Sequence, residues 1–80
     1  MLDLINWIHD GKYRIKVLEV LSKKNYLSSE LATALNINRA SMSRILGKLK
    51  EKQLVDNVTS KSRTITYTIT DKGRTILSKI

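Results

Sequence analysis

Between residues 39 and 69 the hydrophobic pattern changes its period once, from that of a helix to that of a strand, and this switch constrains the fold more than any other feature of the chain. Over 39–53 (RASMSRILGKLKEKQ), Met42, Ile45, Leu46 and Leu49 recur at the spacing that lines one face of a helix. From Leu54 the period drops to two. Leu54–Val58 reads as a strand, Thr59–Arg63 as a polar loop and Thr64–Ile69 as a second strand. In that strand Ile65, Tyr67 and Ile69 point one way, and Thr64, Thr66 and Thr68 the other.

Upstream, Asn36-Ile37-Asn38 reads as a tight turn. Asparagine tolerates left-handed backbone angles, Ile37 plugs inward, and Asn38 can cap the helix that follows. The preceding helix, 29–35, starts from Ser28 as N-cap, with Glu30 complementing the helix dipole and Leu31, Ala34 and Leu35 facing the core. A helix over 12–24 puts Tyr13, Val17, Val20 and Leu21 inward, and Gly11 separates it from a short helix over 2–10. Asn25-Tyr26-Leu27 reads as a turn or a very short strand. At the other end Thr70 or Asp71 caps a last helix carrying Ile76, Leu77 and Ile80. The order predicts an α+β, mainly α fold over a single domain, 1–80. This is a winged helix-turn-helix: a three-helix core, a two-stranded β-hairpin wing, and flanking helices at both ends.

Eighty residues bury only about 60% of the surface exposed by the unfolded chain. With no cysteine there is neither disulfide nor thiolate metal site to reinforce the core, so association is one usual supplement. Fifteen Lys and Arg against seven Asp and Glu give a net charge of +8, the footprint of a protein that meets a polyanion. No apolar run is long enough to span a bilayer and no secretory pattern opens the chain, so a cytoplasmic protein without a membrane partner is expected.

The run SSELATALNINRASMSRILGKLKEKQLV is similar to the core of MarR-like and related winged-helix transcription regulators, and YTITDKGRTIL resembles their strand-to-helix junction. The resemblance covers roughly residues 12–77. It implies that Asn38 to Lys48 line the DNA-facing side of the recognition helix and that Lys61 to Arg63 form the wing tip. Two positions depart from the pattern: Gln53 stands where a glycine usually ends the recognition helix, and Lys61 where the wing often carries an aspartate.

On a helical wheel with Met42, Ile45, Leu46 and Leu49 facing in, Ala40, Arg44, Gly47 and Glu51 point away, flanked by Ser41, Ser43 and Lys48. Arg44 suits bidentate contact to guanine. Arg39 can reach a base or a phosphate, and Ser41, Ser43 and Lys48 suit phosphates. Ser28 and Ser29 lie at a helix N-terminus that favours a phosphate. Gly47 either allows close approach to a groove wall or packs against another helix. Lys61, Ser62 and Arg63 place cations on the wing for backbone or minor-groove contact.

A homodimer is expected from the wide apolar arc of Leu2, Leu4, Ile5, Trp7 and Ile8 together with Ile76, Leu77 and Ile80. Trp7 reads as core or dimer contact and His9 as a surface histidine. Neither a nucleophile with a paired base nor a phosphate loop is present, so an enzyme is not expected, and no cofactor or metal is implied. The small size also argues against an effector pocket of 300 Å3 or more. The competing reading is a winged-helix module that binds protein or RNA without sequence-specific DNA readout.

Overall fold

The computed structural model describes residues 2–59 and 65–80. Five helices and three strands follow one another as α1 (Leu2–Asp10), α2 (Arg14–Leu21), β1 (Tyr26–Leu27), α3 (Ser28–Leu35), α4 (Arg39–Glu51), β2 (Val55–Thr59), β3 (Ile65–Ile69) and α5 (Asp71–Ser78). The strands form one antiparallel sheet in the order β1-β3-β2. Tyr26 faces Tyr67, and Val55 faces Ile69 across the ladder. The expected order of elements is present. The three residues between α3 and α4 make the turn, and β2–β3 supply the stem of the wing.

The core is contributed by every helix and by the inner ends of β2 and β3. Ile8, Val17, Leu18, Leu21, Leu31, Met42, Leu46, Leu49, Leu54, Val55, Ile69 and Ile76 are all buried. Three readings of which residues point inward need correction. Leu18 is fully buried while Val20 and Tyr13 are only half-buried, because α2 begins after Tyr13 and presents 17, 18 and 21 to its neighbours. In α3 it is Ala32 that is buried, and Ala34 is exposed. Ile45 is half-buried, leaving Met42, Leu46 and Leu49 as the inward face of α4.

Both ends of the helix-turn-helix are set by the same backbone device. At the end of α3, Asn36 takes a left-handed conformation (φ 55°), and the N–H groups of Asn36 and Ile37 bond to the carbonyls of Thr33 and Ala32. This Schellman arrangement satisfies carbonyls that a helix end otherwise leaves bare. Asn38 then caps α4, its Oδ1 accepting the Ser41 N–H at 2.8 Å.

At the end of α4 the arrangement repeats. Gln53 sits at φ 63°, its N–H bonds to Lys50, and the Leu54 N–H bonds to Leu49. Leu49 and Leu54 are both fully buried, the apolar contact that accompanies such an end. A non-glycine residue in this region costs roughly 1–2 kcal/mol, so the missing glycine is accommodated by strain and the path of the chain is kept. Gln53→Gly should therefore raise the unfolding free energy by about 1 kcal/mol, part of the relief being lost to the greater entropy of the unfolded glycine. Denaturant unfolding with an unchanged m-value checks it, and a loss of stability would remove the strain account.

Ser28 does not cap α3. The helix starts one residue earlier than expected, at Ser28, with Leu27 as its extended N-cap residue, and Glu30 Oε1 accepts the Leu27 N–H at 2.8 Å. Glu30 thus closes the helix start from inside, so a serine cap is not needed. Thr70 is the cap of α5, its hydroxyl accepting from the Gly73 N–H at 3.0 Å and donating to the Gln53 carbonyl at 2.7 Å.

Candidate nucleic-acid interface

The inward pull of Met42, Leu46 and Leu49 fixes the rotation of α4, and the rest of the helix follows from it. These three are at most 1% exposed. Arg39, Ala40, Ser43, Arg44, Gly47, Lys48 and Glu51 are exposed, and Ser41 is half-buried beside the Asn38 cap. With Lys50, also exposed, four cationic side chains thus stand on the solvent side of one rod with a single carboxylate, Glu51. A Cβ added to Gly47 would meet nothing within 4 Å, so Gly47 does not pack against another helix. At Gly47, beside Arg44, the surface of α4 is bare backbone.

At the start of α3, Ser28 and Ser29 are half-buried. The Glu30 carboxylate bonded to the Leu27 N–H brings negative charge to the helix end proposed to attract a phosphate. Ser29, Glu30, Thr33, Ala34 and Arg39 line an open groove of about 420 Å3 between α3 and α4. A second groove, of about 340 Å3, is lined by Asp3, Leu4, Trp7, Lys52 and Lys72. Both grooves are open at the surface.

One connection was not legible in the residue pattern. Lys50 Nζ donates to Asn57 Oδ1 at 2.9 Å, tying the last turn of α4 to β2. They stand seven positions apart, on either side of the turn that contains the left-handed Gln53. Lys61, Ser62 and Arg63, the residues assigned to the wing tip, lie outside the described residues. The stem that carries them is in place, with Val58 opposite Thr66 and Ile65 opposite Thr59.

The residues assigned to a dimer contact divide. Ile8 and Ile76 are 0% exposed inside the protomer's own core and offer no surface to a second copy. Both lie on the inward side of short terminal helices that the small core needs for closure. Leu2 and Ile80 are exposed, and Leu4, Ile5, Trp7 and Leu77 are half-buried. Trp7 is already engaged. The Arg14 guanidinium lies 3.9 Å from its ring centroid and donates to its carbonyl, and Lys52 Nζ lies 5.4 Å from the ring. His9 is exposed. Among the described residues, no helix is long and apolar enough to cross a membrane, and no three His, Cys, Asp or Glu residues are grouped as a metal site would require.

The family model described as the HVO_A0261 N-terminal domain matches residues 2–80. No curated protein matches the chain. Among solved structures the fold is similar to that of ZitR from Lactococcus lactis, described as a zinc-responsive MarR family member, with 20% identity and a TM-score of 0.79 over 85% of this chain and 49% of that one. Another ZitR structure is a complex with DNA. The fold is also similar to that of the adhesin competence repressor AdcR from Streptococcus pyogenes, with 21% identity and a TM-score of 0.81 over 86% and 52%. The transcriptional regulator BldR from Sulfolobus solfataricus gives 22% identity and a TM-score of 0.81 over 86% and 51%. The chain spans about half the length of these structures. At such identities the shared property is the fold, a MarR-like winged helix.

Proposed function

The chain belongs to the HVO_A0261 N-terminal domain family, and from that membership and its MarR-like winged-helix fold we propose that it is a sequence-specific double-stranded DNA-binding transcriptional regulator. The observation that carries this reading is the outer face of α4, where Arg44 and Lys48 stand beside the bare backbone at Gly47, away from three buried side chains. A major groove about 12 Å wide admits an α-helix, and small residues on the leading face let its backbone come closer to the base edges.

In this reading α4 enters the major groove. Arg44 reads a base, Arg39 and Ala40 lie near the groove floor, and Asn38 sets the start of the helix. Ser41, Ser43 and Lys48, with Ser28 and Ser29 from α3, hold phosphates and fix the register. Lys61, Ser62 and Arg63 extend the contact from the wing to the backbone or the minor groove.

Two copies associate through Leu2, Leu4, Ile5, Trp7, Leu77 and Ile80, and the recognition helices then read half-sites roughly 34–36 Å apart on a near-palindromic site. The DNA complex of ZitR supports the same use of this fold. Catalysis is not part of the proposal: the site offers cations and hydroxyls for binding.

Selection of bound sites from a random duplex library tests the reading, and recovery of an inverted repeat is the expected result. A salt titration gives an independent check. Log affinity should fall linearly with log salt at a slope of about −0.9 per phosphate neutralised. A flat response would reject DNA as the partner.

A further inference from the structure

On α1, buried Ile8 points into the core and divides the rest of the helix surface into two flanks. At about 100° per residue, Leu4, Trp7 and Asp3 fall in that order on one side of Ile8, and Ile5 and Leu2 on the other. The first flank meets Lys52, which ends α4, and Lys72, in the first turn of α5, around an open groove of about 340 Å3. The apolar wall of the groove is the half-buried pair Leu4 and Trp7, and its three charged residues, Asp3, Lys52 and Lys72, are exposed. Both sides are firmly held. The Thr70 hydroxyl donates to the Gln53 carbonyl at 2.7 Å and the Thr70 N–H to the Leu54 carbonyl at 3.1 Å, which joins the end of α4 to the start of α5 close to each lysine. Trp7 is held by the Arg14 guanidinium, 3.9 Å from the ring centroid and bonded to the Trp7 carbonyl. Lys52, from the groove, brings Nζ to 5.4 Å from the same ring.

The lining matches a ligand that combines three features in one small molecule. Two ammonium groups suit a carboxylate, one carboxylate suits an ammonium, and the indole with Leu4 suits an apolar body. A simple organic anion would satisfy the lysines and be repelled by Asp3, and a simple amine would do the reverse. A zwitterion satisfies both signs. The volume lies at the low end of the range for small-molecule sites, about 300–1,000 Å3, so the ligand is small. We propose that this groove binds a free α-amino acid with an apolar side chain, its carboxylate between Lys52 and Lys72, its ammonium at Asp3 and its side chain against Trp7 and Leu4. With the groove occupied, Leu2 and Ile5 on the opposite flank remain for contact with a second copy. The inference is independent of the DNA-binding reading, because the binding it describes needs no duplex.

Trp7 is the one tryptophan of the chain, so its indole N–H gives a single NMR signal to follow. In the 80-residue protein without DNA, L-leucine should shift that signal saturably, with a Kd of about 1 mM for so small a ligand on an open surface. At matched ionic strength, N-acetyl-leucine lacks the ammonium and leucinamide lacks the carboxylate. Each should bind about fivefold more weakly, the scale of an exposed ion pair. Glycine, without the apolar body, should lose about tenfold. Asp3→Asn should weaken L-leucine about fivefold and leave N-acetyl-leucine unchanged, whereas Lys52→Gln with Lys72→Gln should weaken both. All three side chains are exposed, so the variants should fold, and circular dichroism checks that they do. An unmoved indole signal overturns the inference. So does N-acetyl-leucine binding as tightly as leucine, which would give the groove to simple organic anions. A leucine response that fades as protein concentration rises also overturns it, assigning this flank of α1 to a second copy.

Discussion

Gly73→Ala should lower the unfolding free energy by about 1–3 kcal/mol, the usual cost of forcing a methyl group into filled space. A Cβ at this position would lie 2.3 Å from the Leu54 carbonyl oxygen and 2.7 Å from Ile69 Cγ1. The oxygen belongs to the backbone and cannot swing aside. It also accepts the Thr70 N–H at 3.1 Å, so any retreat loosens the junction between β3 and α5. Alanine is the better helix former by roughly 1 kcal/mol, but that gain is smaller than the clash. Gly47→Ala, in the middle of α4 with nothing within 4 Å, is the matched control and should gain up to about 1 kcal/mol. For a domain of this size each kcal/mol moves Tm by roughly 4–8 °C, so calorimetry should separate the two variants in opposite directions. A stable Gly73→Ala protein would mean that the junction is looser than its contacts require.

The same glycine marks how far the sequence could be read. The helical period of α4, the switch to alternation at Leu54 and the left-handed asparagine of the turn each rest on local chemistry, and each was legible. So was the cap at Asn38, whose side chain bonds only three residues ahead. The reason for Gly73 was not, because the atoms that exclude a side chain come from Leu54 and Ile69 and meet it only once the sheet has formed. Contacts between elements set the other misses as well. Ile8 looks like surface on the wheel of α1, apolar for most of its turn, and Ile76 stands beside Leu77 in a largely polar α5; only the packing of α1 and α5 decides which side is consumed by the core. Ser28 resembles a cap until Glu30 is seen to close the helix start. On the outer face of α4 the reverse holds: exposure there needs no partner, and the period alone places Arg44, Gly47 and Lys48.

Arg44→Ala should weaken binding to the selected site by about 1–3 kcal/mol and relax preference at one base position. The side chain is exposed and α4 is held by its opposite face, so folding stability should change little. Lys48→Ala is the informative contrast: a lysine on a phosphate acts as a point charge, and its loss should weaken all sequences nearly alike. The two side chains stand four residues apart on one helix face, so the comparison holds position nearly constant and varies only the chemistry. Arginine's planar fork can satisfy two acceptors on a guanine edge at once, a geometry that no ammonium group reproduces. Arg44→Lys should therefore recover affinity for mixed duplex without restoring discrimination. Competition between selected and mixed duplexes measures both. If Arg44→Ala lost equally on the two, the base-reading role would pass to another residue of the exposed face, with Arg39 at the start of α4 the first to be tried.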